Sequence, residues 1–326
     1  MLRPASTLRN LVAALSLVGF AAGASAQDYP TKSIRLLNPY SPGGPTDAIG
    51  RPLADKLSQA LGKPVVMENR PGANGMIAFD LAARAAPDGY TLLISHVGPM
   101  AINPAMGAGA RYDPVKDFAP ITLLASQQLL LGVRPSLPVH TLRELFDYAR
   151  KNPTTELSYG TVGTGSTTHL AVEWLKSASG MDATHVPYGG AGPIMVDLLA
   201  GRIDFAFLSL ASLIEHVKDN RVRPIAVSTP QRSELLPDVP PASDTVPGFN
   251  VSSWYGFEAP AGTPKPIVDR LAREAGKIVH DPDMTKLMRN TGMVPGGDTP
   301  EQHAAWIKSE VARWADLVKQ AGLDKK

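Results

Sequence analysis

Apolar positions along the chain fall into two alternating rhythms. Short aliphatic runs at residues 34–37, 65–67 and 92–95 read as buried strands. Between them lie stretches with helical spacing. The clearest is 47–61, where Ile49, Leu53, Leu57 and Leu61 recur every four positions and Gly62 offers a left-handed stop. A second helix is expected from about Gly75 to Ala86, ended by Pro87-Asp88-Gly89. This strand–helix order predicts a parallel sheet covered by helices.

The second half repeats the scheme. Strands are expected at 121–125, 129–133, 157–160, 183–188, 205–208 and 225–228. Helices are expected at 141–151, 167–179, 191–200 and 210–219. Thr141 with Glu144, and Gly180, mark two of the helix ends. A proline-rich stretch, 230–247, leads to a strand at 254–259 and then to helices at 265–280, 283–291 and 299–322. With no strand left to pair, the terminal helices are expected to pack back on the first unit. The fold class expected is α/β with two lobes, each a mainly parallel sheet flanked by helices. The first, discontinuous domain would hold residues 27–124 and 250–326, and the second residues 125–249, with crossings near 125 and 250.

Composition narrows the possibilities. Residues 1–26 have the form of an export signal: Arg3 and Arg9, an apolar run at 11–20, and Ala24-Ser25-Ala26 as the small-residue cleavage site. The apolar run is short for a membrane span. Two of the 32 basic residues fall in this segment, so the rest balance the 30 acidic ones. A near-neutral chain argues against nucleic acid and against electrostatic adhesion to membranes. The sequence contains no cysteine, which excludes disulfides and a lipid-bearing cysteine. The expected location is the periplasm, without a direct membrane anchor.

Two glycine- and hydroxyl-rich loops carry the candidate chemistry. The first runs from Pro39 to Asp47 through Tyr40, Gly43, Gly44 and Thr46. The second runs from Tyr159 to His169 through Gly163, Gly165, Ser166, Thr167 and Thr168. Each joins a strand to a helix and contains no Lys or Arg, so each would offer backbone N–H groups and hydroxyls to an anion at a positive helix start. Neither is a nucleotide loop, because the Walker lysine and the third dinucleotide glycine are missing. Ser166 and His169 admit a hydrolase reading, but no nucleophile elbow surrounds Ser166 and no obvious acidic orienter of His169 is expected nearby in sequence. The seven histidines are scattered without metal-binding spacing, so no metal or cofactor is expected. Tyr188 and Gly189 open a third strand-to-helix glycine loop. Ser95 and Ser209 at strand ends, and Asp204 at a strand start, complete the candidate ligand-binding set.

Pro39 to Asp47 with Arg51 resembles the P-x-x-P-G-G-x-x-D-x-x-x-R signature of the Bug family, the TctC-like substrate-binding proteins of tripartite tricarboxylate transporters. Glu68 to Gly75, Pro87 to Leu92, Tyr159 to Leu170, Val186-Pro187-Tyr188 and Leu198 to Asp204 match further family segments in order. The resemblance implies a periplasmic binding protein of the type II fold. Such a protein closes over one carboxylated ligand, held between the two glycine loops by backbone amides and ordered waters, and delivers it to membrane permease subunits. The residues implied are Tyr40, Gly43, Gly44, Thr46 and Asp47 for one jaw and Gly165, Ser166, Thr167 and Thr168 for the other, with His169 as structural support. The family often places Lys, Arg or Gln where this chain has Gly189. That departure favours a less charged acid over citrate. An exported sensor handing the same acid to a receptor would share this site.

Overall fold

The computed structural model describes residues 29–154 and 156–324. The export signal expected at 1–26 lies outside the described residues. The first sheet holds β1 (Ile34–Asn38), β2 (Val65–Asn69) and β3 (Thr91–His96), with β1 parallel to both neighbours. Helices α1 (Pro45–Leu61) and α2 (Met76–Ala83) cover it. The four-residue spacing of α1 turns Ile49, Leu53, Leu57 and Leu61 onto the sheet, and Gly62 closes the helix in the left-handed region with φ 69°.

After β3, a π-turn at Gly98–Ile102 and a short helical turn at Asn103–Ala105 lead to β4 (Phe118–Val133). The sequence pattern suggested two strands here. The structure has one, because Gln127 and Gln128 continue it: their amides bond Thr291 O at 3.1 Å and Gln231 O at 2.8 Å, so these polar positions do not interrupt the ladder. Gln128 pairs with Ser252 of β9 (Ser252–Pro260), and Leu129 pairs with Ser209 of β7 (Phe205–Ser209). One strand therefore passes from the first sheet into the second between these two residues.

The second sheet joins β4, β7, β5 (Ser158–Thr161) and β6 (Thr184–Pro187), with β5 parallel to β6 and β7. The strand β8 (Arg223–Val227) pairs with β4. Helices α3 (Leu142–Lys151), α4 (Thr167–Ser179), α5 (Ala191–Leu199) and α6 (Leu210–Lys218) belong to this half. The expected parallel cores are present, and antiparallel β4 and β9 complete a curled mixed sheet. β9 is followed by α7 (Lys265–Val279), α8 (Pro282–Asn290), β10 (Met293–Pro295) and α9 (Pro300–Gln320). The short β10, on β4, gave no sequence signal because its neighbours are Gly292, Gly296 and Gly297. The helix α7 returns to the first sheet as expected, whereas α9 touches both β4 and α4. One apolar core runs continuously from Leu37 and Leu93 through Leu131, Tyr159 and Phe205 to Trp254 and Trp314.

A buried polar cluster pins α9 to the first sheet. Ser95 Oγ donates to Glu258 Oε1 at 2.9 Å, and His303 Nε2 lies 3.0 Å from the same oxygen. Gly256 makes the space, since a β-carbon there would sit 2.5 Å from Ser95 Oγ and 2.8 Å from His303 Nε2. Burial alone lowers the His303 pKa, but Glu258 and Asp298 outweigh it and raise it to about 9. Burial pushes Glu258 upward as well. A folded-state histidine pKa above the unfolded value of about 6.5 gives stability that is complete below pH 6.5 and lost as pH rises towards 9. His303→Ala leaves Glu258 buried without its partner and should cost about 3–5 kcal/mol in denaturant unfolding at pH 7. The alkaline loss of stability between pH 7 and 9.5 should be smaller in the variant than in the wild type.

Candidate functional site

The carboxyl ends of β1, β3, β5, β6 and β7 carry the loops singled out from the sequence. β1 runs into the first glycine loop and α1, and β5 into the second and α4. β6 runs into the Tyr188–Gly190 loop and α5, and β7 ends at Ser209. Open α/β sheets bind ligands at this edge. The two halves touch across it, where Met106 from the segment after β3 rests against Gly165 of the second loop.

The first loop is braced from inside. Gly43 N–H donates to Asp47 Oδ2 at 3.2 Å, Arg51 Nε donates to the same oxygen at 2.9 Å, and Asn69 Nδ2 donates to Oδ1 at 3.2 Å. These donors, Arg51 foremost, hold the buried Asp47 carboxyl below the ordinary range. Asn69 also donates to Tyr40 O at 2.8 Å. Thus Asp47 and Arg51 form an internally neutral pair, and the amide of Gly43 is already used. Gly44 caps α1 with an extended backbone (φ −85°, ψ 177°) and no side chain of its own. Among the described residues, the N–H groups of Gly44 and Thr46 have no hydrogen-bond partner. Two side-chain groups of the same segment, Thr46 Oγ1 and Asn38 Nδ2, are buried and also unpartnered. Polar groups in that state each cost about 1–3 kcal/mol, so this loop holds unspent hydrogen-bonding capacity.

Tyr40 points its hydroxyl inward. Gly98 N–H donates to His96 Nδ1 at 3.2 Å, which makes that nitrogen the acceptor, and Tyr40 Oη donates to it at 2.9 Å. His96 Nε2–H is left to donate to Ser253 Oγ at 2.9 Å. Burial lowers the His96 pKa to about 4, so the ring is neutral at pH 7.

The second loop follows the same plan. Gly165 (φ +74°) directs its N–H to His169 Nδ1 at 3.1 Å. Ser166 caps α4, its hydroxyl accepting from His169 N–H at 3.2 Å and lying 2.9 Å from Thr168 Oγ1. Thr168 Oγ1 accepts from Val162 N–H at 3.2 Å. Thr167 and Thr168, at the first two helical positions, keep N–H groups that have no partner among the described residues. The His169 ring stacks on His185 with centroids 4.0 Å apart, and burial, with His185 adding to it, lowers its pKa to about 4. The Ser166 hydroxyl thus meets the His169 backbone rather than its ring. That ring's Nδ1 is occupied by Gly165, while its Nε2 lies 4.0 Å from Glu173 Oε1, an acidic neighbour one turn on that the sequence reading did not expect; with the Ser166 hydroxyl turned to the backbone, the ring braces the loop.

The structure brings Tyr40, Gly43, Gly44, Thr46 and Asp47 together on one side of this edge, and Gly165, Ser166, Thr167 and Thr168 on the other. The amides of Gly43 and Gly165, expected to be bare, are spent on Asp47 and His169. The free ones come one to three residues later. Gly189 is exposed in the third loop and nothing lies within 4 Å of where its β-carbon would be. Tyr188 donates to Asp197 Oδ2 at 2.7 Å, and burial with that bond raises its pKa to about 12. Ser209 caps α6 through Ser212 N–H at 3.3 Å. Ser95 is fully buried on Glu258. Asp204 lies at the opposite, amino end of β5, where Arg134 Nε (2.8 Å) and Ser158 N–H (2.8 Å) occupy both its oxygens. A cavity of about 420 Å³ lies apart from these loops, between Ser126, Gln128, Arg232, Leu235, Arg289 and Met293. Sequence reasoning overlooked Asn69, His96 and Met106. The first lies in the quoted Glu68–Gly75 segment, whereas the other two had no local signal.

The curled mixed sheet with paired glycine loops is that of a periplasmic binding protein. The chain belongs to the tripartite tricarboxylate transporter receptor family: the TctC model, described as "Tripartite tricarboxylate transporter family receptor", matches residues 49–323. It is similar to the R. palustris protein Rpa4515, solved with adipate: 36% identity over 90% of this chain and 98% of that one, TM-score 0.79. It is similar to the periplasmic binding protein BugD, at 33% identity over 91% of this chain and 100% of that one, TM-score 0.75. A third likeness is to MatC (Rpa3494) from Rhodopseudomonas palustris with bound malate, at 31% identity over 89% of this chain and 100% of that one, TM-score 0.74. These neighbours are binding proteins. No helix among the described residues is long and apolar enough to cross a membrane.

The buried neutral histidines give the native state an acid sensitivity. His96 and His169 take up protons only near pH 4 when folded, against about 6.5 unfolded. The unfolded chain therefore binds more protons between those values, and stability falls as pH drops from 6.5 to 4. Denaturant midpoints at pH 7 and pH 4.5 should show this loss. His169→Gln should reduce it.

Proposed function

We propose that this protein captures a small carboxylated metabolite in the periplasm, between a lobe of residues 27–124 with 250–326 and a lobe of residues 125–249. It then delivers the ligand to the permease subunits of a tripartite tricarboxylate-type transporter. The observation that carries this reading is the pair of helix starts on one edge, with free N–H groups at Gly44 and Thr46 on one side and Thr167 and Thr168 on the other. Hydrogen bonds to a charged acceptor contribute roughly 1.5–3 kcal/mol each. Three or four of them offset the desolvation of one carboxylate, and the two helix dipoles act in the same direction. A ligand touching both loops favours the closed arrangement by its differential affinity for that state. The adipate and malate found with relatives are small dicarboxylates, which supports the class. Of the cations flanking the first loop, Arg51 is neutralised by Asp47, and Arg35 and Arg70 pair with Glu68. The grip on the ligand is therefore assigned to main-chain amides and hydroxyls. The exposed, open position of Gly189 supports a preference for acids with few charges.

Shifts in melting temperature with a panel of mono-, di- and tricarboxylates test the class. Mono- or dicarboxylates should raise the melting temperature more than citrate does. A β-carbon at Gly44 would meet only Ser41 O, at 3.9 Å. Gly44→Val should therefore fold and yet lose the ligand-induced shift, its side chain standing in the cup. Ser166→Ala should lower stability by about 1 kcal/mol through the lost helix cap and weaken binding on the order of tenfold. Wild-type binding in both folded variants would place the ligand elsewhere.

A further inference from the structure

The second glycine loop has an apolar roof. Residue 165 adopts a left-handed backbone (φ +74°), and a β-carbon there would fall inside the van der Waals envelope of Met106 Sδ and lie 2.7 Å from Met106 Cε. The thioether thus occupies the space that only glycine leaves open. Met106 belongs to the other side of the edge, immediately after the Asn103–Ala105 turn. That turn is anchored: Asn74 Nδ2 donates to Asn103 Oδ1 at 3.0 Å, Asn103 Nδ2 donates to Asn74 O at 3.3 Å, and Asn103 is buried. Asn74 holds its own place with a left-handed backbone, φ 52°. Met106 therefore reaches across from a fixed mount with a flexible, polarizable tip, the kind of side chain that shapes itself to apolar surface. In the same loop, Val162 is 40% exposed, an apolar side chain with little cover.

Resting on the carboxylate reading above, the geometry points to Met106 as the specificity-determining residue of the cleft. The free amides of Thr167 and Thr168 take the ligand's carboxylate, and the Met106 thioether meets the carbon chain next to it. The ligand class this selects is an aliphatic acid with unsubstituted methylenes beside the bound carboxylate. A hydroxyl at that position would be stripped of water against a thioether and its methyl group, which offer at most a weak acceptor in return.

Isothermal titration of adipate and of malate into the full-length mature protein tests this, using wild type, Met106→Gln and Met106→Leu. Adipate should bind the wild type more tightly than malate. Met106→Gln should weaken adipate about tenfold or more while changing malate by less than about threefold, and Met106→Leu should restore the adipate preference. Equal effects on both acids, or none, would overturn the assignment of specificity while leaving the carboxylate reading intact. Wild-type protein that binds no carboxylic acid would overturn both. A ligand-free arm reads the contact itself through thermal unfolding. Gly165→Ala should destabilise the wild type more than it destabilises the Met106→Ala background, where the methyl group has room. Equal destabilisation in the two backgrounds would remove Met106 from the roof and overturn the proposal.

Discussion

The site depends on where a few backbone N–H groups at two helix starts find their acceptors. A helix leaves its first N–H groups without intrahelical partners, and both glycine loops settle that shortage in the same partial way. An internal acceptor takes one glycine amide, Asp47 for Gly43 and His169 for Gly165. The following amides, at Gly44 and Thr46 and at Thr167 and Thr168, stay free among the described residues. Bracing fixes the loops in place, and the remaining donors keep their capacity for an anion. A loop satisfied throughout would be stable and inert, while one left wholly unsatisfied would not hold its shape.

The braces are themselves electrically quiet. Asp47 is balanced by Arg51, and His169 is kept neutral by burial against His185. His96, neutral for the same reason, fixes Tyr40 by accepting a hydrogen bond from its hydroxyl at Nδ1 and donates its Nε2–H to Ser253 on β9. The first loop is thereby tied to a strand that reaches the junction of the two sheets. On the proposed reading, the field that meets the ligand comes from helix dipoles and oriented amides rather than from a formal charge. That arrangement suits the capture and release proposed for this protein.

Much of this was legible in the sequence, and the limits have physical causes. The strand–helix alternation, the α1 face and the Gly62 and Gly180 stops were readable because period and left-handed glycine are local properties. The collinear family segments likewise identified the receptor class before any contact was known. Several of their residues now have visible work: Asn69 clamps the first loop, Arg51 pairs with Asp47, and Asp204 ties Arg134 to Ser158. What pattern could not supply was direction. Ser95 looked available at a strand end, yet it points into the Glu258–His303 cluster, whose members are 163 and 45 positions from Glu258 in the chain. Gly43 and Gly165 looked like bare amides because their acceptors lie four residues on, in side chains whose orientation no spacing reveals. The contact of Met106 with Gly165 is a product of the whole fold. It bridges two loops that only the sheet topology brings together.

We propose that main-chain amides at paired helix starts hold the ligand's carboxylate without a cationic clamp. A crystal structure of the mature protein grown with adipate tests it most directly. The account predicts one carboxylate within hydrogen-bond distance of the Thr167 or Thr168 amides and, directly or through water, of Gly44 or Thr46. A carboxylate held instead by arginine, for example in the cavity between Arg232 and Arg289, would contradict it.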